Sequence, residues 1–177
     1  MTSTTTNADA GYGIAPPGYR LPAATRLGAV RLQVADLDRS LEWYRRVLGL
    51  EVVGRTSGRA GLAPQGTGRT LVELHERRGA TPVPRRGRLG LYHYALLLPD
   101  RPALGRFLRH LGEINERAGM SDHLVSEALY LSDPEGNGIE IYADRPADEW
   151  PVTAVGYDMP SDPLDIQAVL EAAGGRH

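Results

Sequence analysis

The chain repeats itself. Leu27–Asp36 (LGAVRLQVAD) lies over Leu91–Asp100 (LYHYALLLPD) without a gap. Each segment reads as a strand that ends in Asp and runs at once into an amphipathic helix. Carried forward at the same offset, Trp43 falls on Phe107, Tyr44 on Leu108 and Val47 on Leu111. Later in each half comes an apolar strand with one central carboxylate: Glu73 in Leu71-Val72-Glu73-Leu74, and Glu140 in Ile139-Glu140-Ile141. A period of this kind constrains architecture more than any single motif. It predicts an α+β fold of two βαβββ modules.

Within each module the periods agree with that order. Leu37, Leu41, Tyr44 and Leu48 recur at helical spacing, with Asp36 or Asp38 to cap the helix and Gly49 to end it. Leu104, Phe107, Leu108 and Leu111 form the stripe of a second helix from about residue 101 to 117, with Asp100 before it and Pro102 in its first turn. The expected boundaries are a disordered leader over 1–24, a domain over 25–146 with modules 26–80 and 89–146, and a C-terminal extension over 147–177. In that extension Ile166, Val169 and Leu170 predict a short amphipathic helix, docked on the sheet or on a second subunit.

Strand alternation sorts the side chains into two faces. Val30, Leu32 and Val34 suit a helix-covered face, as do Tyr94, Leu96 and Leu98. The opposite face collects Arg31, Gln33, Glu73, His75, His93, Glu140 and Tyr142. That face is polar. Glu140 carries the sharpest question. It sits in an apolar strand after the turn Asp133-Pro134-Glu135-Gly136-Asn137, whose Pro, Gly and Asn suit a tight reversal. A mid-strand carboxylate is costly to bury unless it is paired or ligates a cation. It is therefore an edge residue in water or a ligand in a cavity.

Composition removes several function classes. At 177 residues with 41% hydrophobic content, the chain can bury a core as one domain. The net charge is −2, and the densest arginine cluster, Arg85-Arg86-Gly87-Arg88, lies in a Pro/Gly linker, so nucleic acid is not an expected partner. There is no Cys, which excludes disulfides and thiolate metal sites. No apolar run is long enough for a membrane span, and the N-terminus lacks a signal-peptide pattern. A cytoplasmic location is expected.

The helix-start segment Val34-Ala35-Asp36-Leu37-Asp38-Arg39-Ser40-Leu41-Glu42-Trp43-Tyr44, with Val47-Leu48-Gly49-Leu50 and the Asp133-to-Glu140 turn, resembles the vicinal-oxygen-chelate superfamily of glyoxalases, bleomycin-resistance proteins and extradiol dioxygenases. Residues 90–101 and 121–130 look most like the first domain of two-domain catechol 2,3-dioxygenase-like proteins. The resemblance implies that the two modules curve into one mixed-sheet cleft lined by this polar face. A divalent metal (Fe2+ foremost, then Mn2+, Ni2+ or Zn2+) is then implied at four repeat-related positions, here Ala29, Glu73, His93 and Glu140. Ala29 cannot ligate, so the implied ligands are His93, Glu140 and Glu73, with His75 as a substitute imidazole. It also implies catalytic roles for Tyr130, beside the bound oxygens, and for His123. Arg31, Gln33, His75 and Tyr142 would line the substrate cleft.

Two kinds of function follow. One is a metal-dependent enzyme, an extradiol dioxygenase-like oxidoreductase or a glyoxalase-like lyase, acting on a small catechol-like, oxygen-chelating substrate. The other is a metal-free binding protein of the bleomycin-resistance kind, or a non-catalytic partner domain. A homodimer is expected in either case, because the apolar residues of the tail need cover.

Overall fold

The computed structural model describes residues 17–81 and 90–174. Most of the expected leader, the Arg85–Arg88 cluster and His177 lie outside those residues.

The first module runs β1 (Val30–Val34), α1 (Leu37–Leu48), β2 (Glu51–Thr56), β3 (Arg59–Ala63) and β4 (Val72–Glu76). The second runs β5 (His93–Leu97), α2 (Arg101–Glu113), β6 (Gly119–Asp122), β7 (Ser126–Ser132) and β8 (Gly138–Asp144). Each makes a four-stranded mixed sheet, ordered β1-β4-β3-β2 and β5-β8-β7-β6. The first and last strands of each module pair in parallel, and the remaining neighbours are antiparallel. The repeat survives to the level of register. Arg31 stands opposite Glu73 in the first sheet, and its counterpart Ala95 stands opposite Glu140 in the second.

Local chemistry sets the helix ends. Asp36 caps α1 by accepting from the Arg39 amide, and Asp100 caps α2 by accepting from Ala103. Gly49 closes α1 in the left-handed region at φ 66°. The second helix stops at Glu113, short of the expected residue 117, where Asn115 turns to φ 54°.

The core forms under the helix-covered faces that alternation predicts. Leu32, Val34, Leu62, Val72 and Leu74 join Leu37, Leu41, Tyr44 and Val47 from α1. Leu129, Leu131, Ile139 and Ile141 join Leu104, Leu108 and Leu111 from α2. The modules meet through a buried polar chain. Tyr94 donates to the Tyr44 hydroxyl, and Tyr44 donates to Asp133 in the β7–β8 turn. Burial holds both phenols above the ordinary tyrosine range. Asp133 also accepts from the Glu135 and Asn137 amides, so the turn and the module contact share one carboxylate. His110 adds a contact at the module boundary, its Nε2 lying 2.9 Å from the Arg46 carbonyl oxygen at the surface.

The tail returns over the second module. A hairpin, β9 (Val152–Thr153) and β10 (Gly156–Tyr157), precedes α3 (Ile166–Ala172). Helix α3 packs on α2, not on the sheet. A Cβ at Gly105 would lie 2.2 Å from the Val169 carbonyl, so only glycine allows this approach. Val169 is fully buried within its own chain, while Ile166 stays 45% exposed.

Candidate functional site

The sheet faces left open by the helices carry every residue that alternation assigned to the polar face. They divide into two sites, one per module. In the first, Arg31 Nε lies 2.7 Å from Glu73 Oε2, and His75 Nε2 lies 3.5 Å from the same oxygen. Gln33 is exposed opposite His75 in the register. A hollow of about 250 Å³ beside this group is bordered by Arg55, Arg59, Thr70, Glu73 and His75.

In the second module the residue opposite the carboxylate is Ala95, which reaches nothing. Glu140 takes other partners. Its Oε2 lies 2.9 Å from His93 Nε2, and its Oε1 accepts from the Tyr130 hydroxyl at 3.0 Å. Beyond Tyr130, His123 Nε2 lies 2.8 Å from the hydroxyl oxygen, and His123 Nδ1 lies 2.6 Å from the Pro160 carbonyl. A carbonyl only accepts, so Nδ1 carries a hydrogen. The Tyr130 hydroxyl has one hydrogen to share between Glu140 and His123. His93, Glu140, Tyr130 and His123 thus form one continuous chain of polar contacts across β5, β8, β7 and the β6–β7 connection. Burial, and then the bond to Glu140, hold the Tyr130 phenol above the usual tyrosine range. Burial also raises Tyr142 and Asp144 nearby.

Backbone geometry serves this arrangement. Gly138 pairs with His93, and a Cβ there would come within 2.4 Å of the Tyr92 carbonyl and 3.0 Å of the His93 Cβ. Glycine is thus what lets β5 carry His93 close beside β8. Next to the chain is a cavity of about 360 Å³, with Ala95, Val125 and Glu140 on the protein side.

Of the expected ligands, the fold brings His93 and Glu140 together. It leaves Glu73 and His75 in the other sheet with Arg31. Among the described residues, no group of three His, Asp or Glu side chains is placed to hold a metal ion. Ala29, the one repeat-related ligand position without a donor, stands just before β1. Alternation missed the contribution of the tail: Trp150, Tyr157 and Met159 also line the second-module cavity. The aromatic content of that extension was the available signal. Its return onto β6, through paired backbone bonds between Asp122 and Asp162, was not readable.

This fold and site define a class of protein before any relative is consulted: paired βαβββ modules with a carboxylate at one repeated position. The sequence profile of the Glyoxalase/Bleomycin resistance protein/Dioxygenase superfamily matches residues 26–141, and the chain belongs to that superfamily. It is 46% identical over 151 residues to the catechol-2,3-dioxygenase of Bacillus subtilis (strain 168), a match covering 85% of this chain. The same match covers 53% of the relative, so the chain spans about half that protein's length. Among solved structures, a glyoxylase/bleomycin resistance protein/dioxygenase domain from Frankia sp. EAN1pec aligns with TM-score 0.58 at 22% identity, over 70% of this chain and 94% of the other. Lactoylglutathione lyase from Agrobacterium tumefaciens aligns with TM-score 0.54 at 24% identity, over 69% and 96%. These two likenesses establish the fold. No helix among the described residues is long and apolar enough to cross a membrane.

Proposed function

We propose that the chain is a dioxygenase-like enzyme domain that binds a small, catechol-like molecule through its vicinal oxygens at the second-module site, in the cytoplasm. The observation that carries the reading is the joined set His93, Glu140, Tyr130 and His123, of which Glu140 and His123 line the cavity together with Ala95. Similarity to a catechol-2,3-dioxygenase supports the substrate class.

The donors fit a divalent cation in part. His93 Nε2 and Glu140 Oε2 are an imidazole and a carboxylate already 2.9 Å apart, the donor types that hold Fe2+, Mn2+, Ni2+ or Zn2+. The second imidazole of the usual set is replaced by Ala29, and Glu73 is held by Arg31. We therefore assign the ion to His93 and Glu140, with Fe2+ first in order. When bound it supplies a Lewis acid for the chelated oxygens and a place for O2. The chain's own residues do the rest. Tyr130 holds its hydroxyl between Glu140 and His123, the two members of the set that line the cavity, and so links them behind the ligand oxygens. His123, fixed by the Pro160 carbonyl, faces that hydroxyl with Nε2, so a proton can pass between ligand, Tyr130 and His123.

A homodimer fits this reading on grounds other than the tail. Leu91, Tyr92 and Leu97 stay exposed around β5 and would be covered by a second copy. A second functional reading, metal-free ligand binding, is favoured by Ala29 and by the neutralised Glu73. Elemental analysis and Mn2+ titration separate the two. Under the enzyme reading the purified protein takes up divalent metal, His93→Ala abolishes uptake and Ala29→His strengthens it. Failure of the wild type to hold any divalent metal, with ligand binding intact, selects the metal-free reading.

A further inference from the structure

The second-module cavity has a wall that the sheet does not supply. Residues 150–160 cross in front of it as a strap tied at both ends. At the start, the Arg145 amide donates to the Val125 carbonyl, and Trp150 Nε1 donates to the Arg145 carbonyl. At the finish, Asp122 and Asp162 exchange backbone bonds of 2.9 Å in both directions, and His123 Nδ1 meets the Pro160 carbonyl. Between these ties lies the β9–β10 hairpin. Its Tyr157 ring meets the Trp150 indole edge-on at 5.3 Å between centroids.

Trp150, Tyr157 and Met159 all line the cavity opposite Glu140. Tyr157 is 43% exposed and Met159 62%, large apolar surface left in water at the mouth of a cavity. The rest of the lining is Ala95 and Val125, with Ser126, Glu140, Tyr142, Asp144 and His123. The cavity thus joins apolar and aromatic surface to polar groups. A cavity of about 360 Å³ is within the range used by small ligands.

We propose that the C-terminal strap is the specificity wall of the site, and that Trp150, Tyr157 and Met159 select a ligand with a flat apolar ring whose oxygens reach Glu140 and His123. This rests on the functional reading above for the oxygen end, but the strap supplies the ring end independently. Aromatic rings favour edge-on and offset contacts with other rings, and a methionine adapts to their edges. Binding there would cover the Tyr157 and Met159 surface that is now in water. Because Pro160 also holds His123, a ligand seated on the strap touches the segment that orients the proton-passing histidine.

The test is calorimetric titration of the full chain, with and without one equivalent of Mn2+. Two probes are compared: 4-nitrocatechol, and 4-nitroanisole, which keeps the ring and lacks both hydroxyls. The double variant Tyr157→Ala/Met159→Ala is expected to bind 4-nitrocatechol about tenfold more weakly than wild type, the scale of one lost aromatic contact. Both side chains are exposed, so its Tm should match wild type. Should Tm fall, Met159→Ala alone replaces it, with a severalfold loss expected. Equal affinity in variant and wild type overturns the strap inference and leaves the functional reading standing. Strap-dependent binding of 4-nitroanisole as tight as that of 4-nitrocatechol upholds the strap and overturns the vicinal-oxygen reading. No saturable binding of either probe by wild type overturns both.

Discussion

The two modules place a glutamate at the same point of the same sheet and use it differently. Glu73 faces Arg31 across the β1–β4 pair, and the two neutralise each other. Glu140 faces Ala95 across β5–β8, and the space left by the missing side chain becomes part of a cavity. A second pair of counterparts differs in the same sense. Ala29 precedes β1 where His93 begins β5, and Leu71 occupies the position matched by Gly138. One half of the repeat has thus become scaffold with its charge satisfied internally. The other keeps a carboxylate whose neighbours are titratable and whose front is open. The repeat places two carboxylates alike, and the residue on the opposing strand decides whether each is paired within its own sheet or left facing a cavity.

The largest expected effect comes from making the second module like the first. Ala95→Arg puts a guanidinium opposite Glu140, as Arg31 stands opposite Glu73. It should fill the cavity and abolish ligand binding, a loss of a hundredfold or more by titration calorimetry. Ala95 is exposed, so the fold should keep its Tm. Binding that survives this change would mean that the two carboxylates are not distinguished by their opposing residue.

Next comes Gly138→Ala. Its Cβ would meet the Tyr92 carbonyl at 2.4 Å, so β5 must shift away from β8 and carry His93 with it. Overpacking of this kind costs about 1–3 kcal/mol, measurable by urea unfolding. Leu71→Ala, the counterpart in the first module, creates space instead and should leave His93 and Glu140 in contact. Equal loss of metal affinity from the two changes would remove the asymmetry.

A smaller effect is expected where the modules join. Tyr44→Phe leaves Asp133 short of one buried donor and Tyr94 without its acceptor, which costs about 1–3 kcal/mol. The same chain sets a pH dependence. Burial raises Tyr44 and Tyr94 above their ordinary value of 10.0 in the folded state. The unfolded chain therefore loses these protons first. Their contribution is fully present below pH 10 and is lost progressively above it. Denaturant midpoints taken across that range should fall as pH rises, and Tyr44→Phe should flatten the fall.

The smallest effect belongs to the first-module pair. Arg31 is largely in water, so Arg31→Ala should cost under about 1 kcal/mol. Its value is as a probe. It frees Glu73 while leaving His75 within reach, and it should increase divalent-metal affinity at the first module if Arg31 alone keeps that site closed.

Much of this asymmetry was legible before the fold. The gapless overlay already set Arg31 against Ala95 and Ala29 against His93, and alternation put Glu73, His75, His93 and Glu140 on the open faces. Strand period is a local property and carries that far. It does not give distances between sheets: within this chain Glu73 pairs with Arg31, and its expected approach to His93 from this chain's or a partner's module is not readable from strand period. Nor does it show the strap. Trp150, Tyr157 and Met159 reach the cavity only because Asp122 and Asp162, forty residues apart in sequence, pair their backbones. The buried Tyr44–Asp133 bond was hidden for the same reason: Tyr44 reads as an ordinary core aromatic until its hydroxyl meets the turn of the other module.

The central claim is that Glu140 belongs to a working site and Glu73 to the scaffold. Mn2+ binding to wild type, Glu140→Gln and Glu73→Gln, followed by the loss of free-ion electron paramagnetic resonance signal, tests it most directly. One ion per chain in wild type, retained in Glu73→Gln and lost in Glu140→Gln, is the result this account expects. Equal loss in both variants would contradict it.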